Sequence, residues 1–180
     1  MSREKAAIAL EAASSIEEGM TAVLLGGSTV HAMCPYLRGR HLTVITSSIP
    51  VVNDLMYEEN IKVILLGGVV NPTEIEVRGA LMVAGFERLR ADQVFVGATN
   101  VHETHGLMTD DPDSVATYRT CMSIADRIFV LADSTKFKPG GAAVVASFDE
   151  LNDIVTDDSI QKEALYNLQA KGVRVHVAKT

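Results

Sequence analysis

Four short segments concentrate the residues able to do chemistry. In LLGGSTVHAM, Gly26 and Gly27 turn the chain after an apolar run, and Ser28 and Thr29 open a helical stretch. Backbone N–H groups at a helix start, with two small hydroxyls, form an anion site, and glycine lets a ligand approach the backbone. VITSSIPVVNDL repeats the arrangement with Thr46, Ser47 and Ser48. Ser48 is expected to cap a helix whose first turn holds Pro50. LLGGVVNPTEIEVRGA carries a second glycine pair ending at Gly68, and Arg78, a side chain that grips phosphate or carboxylate with two hydrogen bonds. VLADSTKFKPGG delivers Asp133, Ser134, Thr135 and Lys136. Lys136 offers a point charge for a phosphate or, when desolvated, a nucleophilic amine. Each segment also has a plainer reading as a capped turn or a solvated surface charge. Neither a GK[ST] phosphate loop nor a GxGxxG dinucleotide fingerprint is present.

These segments sit at regular intervals because apolar runs precede them. The runs 22–25, 42–46, 62–66, 93–97, 127–132, 153–156 and 173–178 read as buried parallel strands. Helical spacing is expected over 3–17, 29–38, 49–58, 80–89, 114–125 and 159–170. Ser2 is the expected N-cap of the first helix, Gly19 its C-terminal stop, and Ser28 the cap of the helix that begins at Thr29. Alternating strands and helices predict an α/β fold: a mostly parallel sheet with helices on both faces. Ligands of such sheets bind at the carboxyl ends of the strands, where the four segments lie. Residues 98–113 lack periodicity and read as a long functional or mobile loop, and KFKPGGAA (136–143) as a surface loop or lid.

Composition excludes several classes. The 180 residues carry 16 Lys plus Arg against 23 Asp plus Glu, a formal net charge of −7, so no broad face is expected to hold a nucleic-acid backbone. Aromatic residues are 5% with no Trp, which argues against a stacking platform for single strands. No apolar run approaches a membrane span, and the first residues lack a signal-peptide core. Cys34 and Cys121 have no CxxC spacing and read as small buried hydrophobes in a reducing, cytoplasmic setting. His102 and His105 stand three apart in HETH, but no third ligand accompanies them, so neither a metal set nor a cofactor is expected.

Taken in order, AVLLGGSTVHAM, LTVITSSIPVVNDL, KVILLGGVVNPTEIEVRGA, ADQVFVGAT, ADRIFVLADSTKF and ELNDIVTDD resemble the C-terminal effector-binding domain of DeoR-type bacterial transcriptional regulators. The resemblance spans nearly the whole chain. It implies a fold similar to ribose-5-phosphate isomerase and glucosamine-6-phosphate deaminase, a phosphorylated sugar or related metabolite as effector, and homo-oligomers. It also implies DNA contact only through an N-terminal helix-turn-helix segment. That segment would precede the helix at 3–17 and is expected to be absent from this chain, leaving residues 1–180 as one effector-binding domain. The family's first loop, commonly Asp-x-Gly-Thr-Thr, falls on Leu25, Gly26, Gly27, Ser28 and Thr29. Its Thr-Asn-Ser loop falls on Thr46, Ser47 and Ser48. Its Asp-x-Ser-Lys-Phe pattern falls on Asp133 through Lys136 and Phe137. Leu25 replaces the acid and Ser47 the Asn, which removes two partners for sugar hydroxyls, and Thr135 stands where Ser is commoner.

Two other readings remain open at this level. An isomerase or deaminase needs an acid or base near the sugar carbonyl, for which Asp110, Asp111 and Asp133 are the candidates beside Lys136. A dimerisation domain with a vestigial pocket needs no ligand.

Overall fold

The computed structural model describes residues 2–180. Seven strands form one parallel sheet: β1 (Thr21–Leu24), β2 (Leu42–Thr46), β3 (Ile61–Leu65), β6 (Ala91–Gly97), β9 (Ala125–Leu131), β11 (Asp153–Asp157) and β12 (Arg174–Ala178), in the order β12-β11-β9-β6-β1-β2-β3. Every neighbouring pair runs parallel.

Successive strand residues point to opposite faces, and both faces are buried. Ala22, Leu24, Phe95, Phe129, Leu131 and Val155 enter one apolar cluster; Val23, Leu25, Val94, Val96, Val130 and Ile154 enter the other. The first face is covered by α1 (Arg3–Ser14), the single turns α2 (Ser28–His31) and α3 (Cys34–Leu37), and α4 (Ile49–Leu55). The second is covered by α5 (Ala80–Phe86), α6 (Val115–Ser123) and α7 (Lys162–Ala170). The expected fold class is therefore the observed one, and its strands read as apolar runs because neither face meets water. At the centre Phe95 stacks on Phe129 with centroids 4.9 Å apart. Both cysteines are free and buried. Among the described residues no helix is long and apolar enough to cross a membrane.

Several expected boundaries move. Ser2 does cap α1, accepting from the Lys5 N–H, but the helix ends at Ser15; Gly19, at φ +83°, instead turns the chain into β1. The helix expected over 29–38 is split into α2 and α3. Pro35 in the first turn of α3 has no N–H to continue the ladder. The expected loop at 98–113 is ordered: β7 (Asn100–His102) and β8 (Gly106–Thr109) form a hairpin. β10 (Ala143–Ala146) then joins it in the order β10-β8-β7. Gly140 and Gly141 adopt positive φ to bring the chain back to β8, where a Cβ on Gly141 would strike Met108. A further hairpin, β4 (Val69–Asn71) with β5 (Glu76–Arg78), lies within the segment read as a glycine loop and Arg78.

One polar cluster joins the edge of the sheet. Asp153 is fully buried, accepts two hydrogen bonds from Arg127 at 2.6 and 2.7 Å, and lies 2.7 Å from His176 Nε2. The contacts tie β9, β11 and β12 together. Burial raises the Asp153 pKa, but the Arg127 and His176 hydrogen bonds outweigh it and hold the carboxyl below its usual range. Asp153→Ala is expected to cost about 3 kcal/mol in chemical denaturation, the low end for a broken buried pair because Arg127 reaches solvent. Because the folded pKa is depressed, this stabilisation is full above the unfolded carboxylate value. It is lost as pH falls through the lower folded value, so the wild-type advantage should vanish in acid denaturation curves.

Candidate functional site

β1 is the first strand laid down. The chain adds β2 and β3 on one side of it and β6, β9, β11 and β12 on the other. The order therefore reverses between β1 and β6, and the crevice beyond their carboxyl ends is where a ligand of an open α/β sheet binds. The residues there are small for a reason. Gly27, at φ +115°, is the N-cap of α2. A Cβ on Gly97 would stand 3.6 Å from the Gly26 carbonyl oxygen and 4.0 Å from the Gly27 Cα, so the two loops meet backbone to backbone. Ser28 is the first residue of α2 and not its cap. Its hydroxyl accepts from the Lys5 ammonium at 2.8 Å. Thr29 is buried.

The second loop is committed to the fold. Thr46 Oγ1 donates to the Leu24 carbonyl at 2.6 Å and accepts from the Ser48 N–H at 3.0 Å, joining β1 to β2. Ser47 and Ser48 are buried, and Ser48, although the N-cap of α4, makes no side-chain cap bond. What buries them is the β4–β5 hairpin. Val77 N–H donates to the Ser47 carbonyl at 2.8 Å, Ile49 N–H donates to that of Ile75 at 3.1 Å, and Ser48 bridges Glu76. Gly68 closes the hairpin base, where a Cβ would lie 2.6 Å from the Arg78 carbonyl oxygen. Ile75 adopts φ +54°, an unusual conformation for a β-branched side chain.

The hairpin carries charge onto the first loop. The Glu76 carboxylate rests on Gly26, where a Cβ would collide with it. Glu76 Oε1 accepts from Arg78 Nε at 2.5 Å, and Arg78 Nη1 donates to Asp111 Oδ2 at 2.7 Å. Arg78 thus lies beside the crevice, with its guanidinium shared between two of the protein's own carboxylates. Burial, and then the Glu76 charge, pushes the Tyr118 hydroxyl up to about 12, which keeps it neutral. Leu25, Gly26, Glu76, Arg78, Ser114 and Tyr118 surround a cleft of about 10 Å³, room for about one water.

Glu76, Tyr118, Ser114 and Gly97 were not among the expected site residues. Glu76 is brought in by the register of the hairpin, Tyr118 by α6, Ser114 by the turn before α6 and Gly97 by the end of β6; Glu76 and Gly97 lie in segments that carry the resemblance, but their residue types alone do not mark them. Asn100, just past β6, keeps a buried side-chain oxygen without a hydrogen-bond partner.

The fourth segment stands apart. Asp133, Ser134 and Thr135 line a different cleft with Ser2, Glu4 and Ser159, and Asp133 caps its own turn through the Thr135 N–H. Lys136 ends that turn, and among the described residues no carboxylate lies within ion-pair distance of its ammonium. A cavity of about 170 Å³ opens elsewhere, floored by Phe137, Phe148 and Leu168. His102 Nδ1 accepts from the Thr104 and His105 N–H groups, which commits it to the β7–β8 turn.

A family model described as the DeoR C-terminal sensor domain matches residues 1–158. The chain is 30% identical to the HTH-type transcriptional regulator GolR of Listeria innocua, over 98% of this chain and 70% of that protein. Other relatives are named transcriptional regulators or repressors, and the chain spans about 60–70% of the length of the relatives it matches. Among solved structures it is similar to ribose-5-phosphate isomerase A of Methanocaldococcus jannaschii, with TM-score 0.54 and 21% identity. That match covers 74% of this chain and 53% of the isomerase. It is also similar to eIF2B beta of Chaetomium thermophilum, with TM-score 0.57 and 17% identity over 84% and 48% of the two chains. One neighbour is an enzyme and the other a translation-factor subunit, so the shared fold alone does not assign an activity.

Arg78→Met leaves Glu76 and Asp111 without their shared partner. Hydrogen bonds to charged groups are worth about 1.5–3 kcal/mol each, so a lowered Tm is expected. Amide exchange should also quicken across Val69–Arg78, most visibly at the Val77 N–H. Unchanged exchange there would show that the backbone bridges alone hold the hairpin.

Proposed function

The chain belongs to the DeoR C-terminal sensor-domain family, and from that premise we propose that it senses a phosphorylated sugar or a related anionic polyol for a transcriptional regulator. DNA is read by a helix-turn-helix segment outside these 180 residues. The observation that carries the ligand site is the glycine loop at the point where the strand order reverses, covered by a hairpin that places Glu76 and Arg78 on it.

The chemistry suits a ligand with hydroxyls and an anion. Glu76 and Asp111 are acceptors for hydroxyl donors, and they take over the role that Leu25 cannot fill. Backbone N–H groups beside Gly26 and Gly27, the Ser28 hydroxyl and the Arg78 cation serve the phosphate, and Lys136, on its separate turn after β9 at the same carboxyl edge of the sheet, brings a further cation to the ligand. Ligand pockets have volumes of about 300–1,000 Å³, far beyond the 10 Å³ of the closed cleft. Entry therefore requires the hairpin to lift, taking Glu76 off Gly26 and freeing Arg78. A ligand that binds only the lifted form shifts the population toward it, and the shift is read out by an oligomer of the regulator.

The same contacts weigh against catalysis. Asp111 is ion-paired to Arg78, which favours its ionised form but weakens it as a base. Asp110 is exposed and Asp133 caps a turn.

Thermal unfolding against four- to six-carbon sugar phosphates and the matching free sugars tests the reading. One phosphorylated compound is expected to add about 2.7 kcal/mol at 100 times its Kd, its free sugar nothing comparable, and neither should turn over. Lys136→Ala is expected to weaken binding at least tenfold. A well-folded chain that responds to no member of the panel would overturn the assignment.

A further inference from the structure

On the other face of the sheet from the hairpin cluster, three side chains of three ligand types converge. His31 ends α2, Cys34 opens α3 and Asp54 lies in α4. His31 Nε2 is 2.8 Å from Asp54 Oδ2, and the nitrogen, the Cys34 sulfur and the carboxylate oxygen all lie within 4.8 Å of one another. The fold builds this arrangement with a single short segment. Pro35 divides the helical path into two turns, and the bonds from the Ala32 N–H to Ser28 and from the Met33 N–H to Val30 carry the chain round between them. His31 and Cys34 thereby face the same residue of α4. Cys34 is fully buried, while the side chains of His31 and Asp54 are 39% and 36% exposed. The sulfur forms the floor of a site whose mouth is the imidazole–carboxylate pair.

We propose that His31, Cys34 and Asp54 bind a borderline divalent transition metal, of the zinc and cobalt class, as a three-ligand site with one position open to solvent. The donor set decides the class: a thiolate and an imidazole select zinc-like ions, and calcium and magnesium take oxygen ligands. The charges balance, since thiolate and carboxylate together neutralise a dication. The size also fits. With Zn–S near 2.3 Å and Zn–N near 2.0–2.1 Å, ligand atoms of a tetrahedral site stand about 3.3–3.7 Å apart. His31 and Asp54 need to separate by roughly half an ångström, and the sulfur already lies within 4.8 Å of both.

Without metal, burial and the Asp54 charge push the Cys34 thiol up to about 12, so it is protonated and inert. Binding replaces one proton by the ion. The metal–sulfur bond forms, the S–H bond breaks, and that proton leaves to solvent. In the metal-free chain His31 Nε2–H donates to Asp54; on binding, that proton leaves Nε2 through solvent and the other ring nitrogen, Nδ1, carries the N–H, so the Nε2 lone pair ligates the ion. Asp54, which disfavours the bare thiolate, becomes its co-ligand.

The test is titration of the metal-free chain with cobalt(II). One cobalt per chain is expected, with the near-ultraviolet thiolate-to-cobalt charge-transfer band and the visible bands of four-coordinate cobalt, both erased by zinc. Cys34→Ser should abolish the charge-transfer band, and Cys121→Ser should keep it. His31→Gln and Asp54→Asn sit at the partly exposed mouth, so they test the site without emptying the core. Each should weaken cobalt binding at least tenfold, with circular dichroism unchanged. Absence of the band in the wild-type chain overturns the proposal, as does its survival in Cys34→Ser. Undiminished affinity in both mouth variants would also overturn it, because the sulfur alone would then be the ligand.

Discussion

A parallel sheet is stable only when both of its faces are kept from water, and this constraint shapes everything else in the molecule. Its backbone bonds come from strands that cannot be joined by tight turns, so each connection crosses a face and deposits a helix there. The alternation of Val94, Phe95 and Val96, or of Val130 and Leu131, between two apolar clusters is the residue-level form of that rule. With both faces covered, polar chemistry is driven to the strand ends. The fold thereby confines the glycine loop, the buried serines and the hairpin cluster to one rim.

At that rim the electrostatics are local. A chain of net charge −7 holds two carboxylates against one guanidinium there, with Tyr118 kept neutral beside them. Arg78 is held by Glu76 and Asp111, and on the turn after β9 Lys136 has no carboxylate within ion-pair distance among the described residues. Net charge argues against a broad nucleic-acid face but says nothing about where a few charges are brought together.

The architecture was legible because its signal is repetitive. Seven apolar runs, each followed by a polar loop, leave few alternatives, and the ordered motifs that resemble the sensor-domain family narrow these to one. What escaped reading was the short antiparallel structure. The three-residue strands β4, β5 and β7 are too brief for alternation to show, and β4 exposes Val69 and Val70, so its hydrophobicity carries no burial pattern. The site suffered in proportion. The turn at Gly26 and Gly27 and the hydroxyl of Thr46 can be read locally, because a turn or a hydroxyl is local, although Thr46 serves the fold. Glu76 on Gly26, or Cys34 between His31 and Asp54, depends on register between distant segments, which no local pattern records. Lys136 shows the converse: its motif is readable, yet Asp133 to Thr135 beside it line a cleft of their own, apart from that of Glu76 and Arg78.

The hairpin's contact with Gly26 has a quantitative corollary. Where a protein's own side chain covers a site, the apparent dissociation constant is the intrinsic one divided by the fraction of molecules in the open form. On the proposed mode of entry, Ile75, held at φ +54° at the hairpin turn, would act as a rheostat without touching the ligand. Relieving its strain in the closed form would raise the concentration at which the ligand is sensed, and weakening the hairpin's dock on Ser47 would lower it. The threshold would then be set in a surface turn, and substitutions there would move it while the ligand-contacting residues stayed as they are.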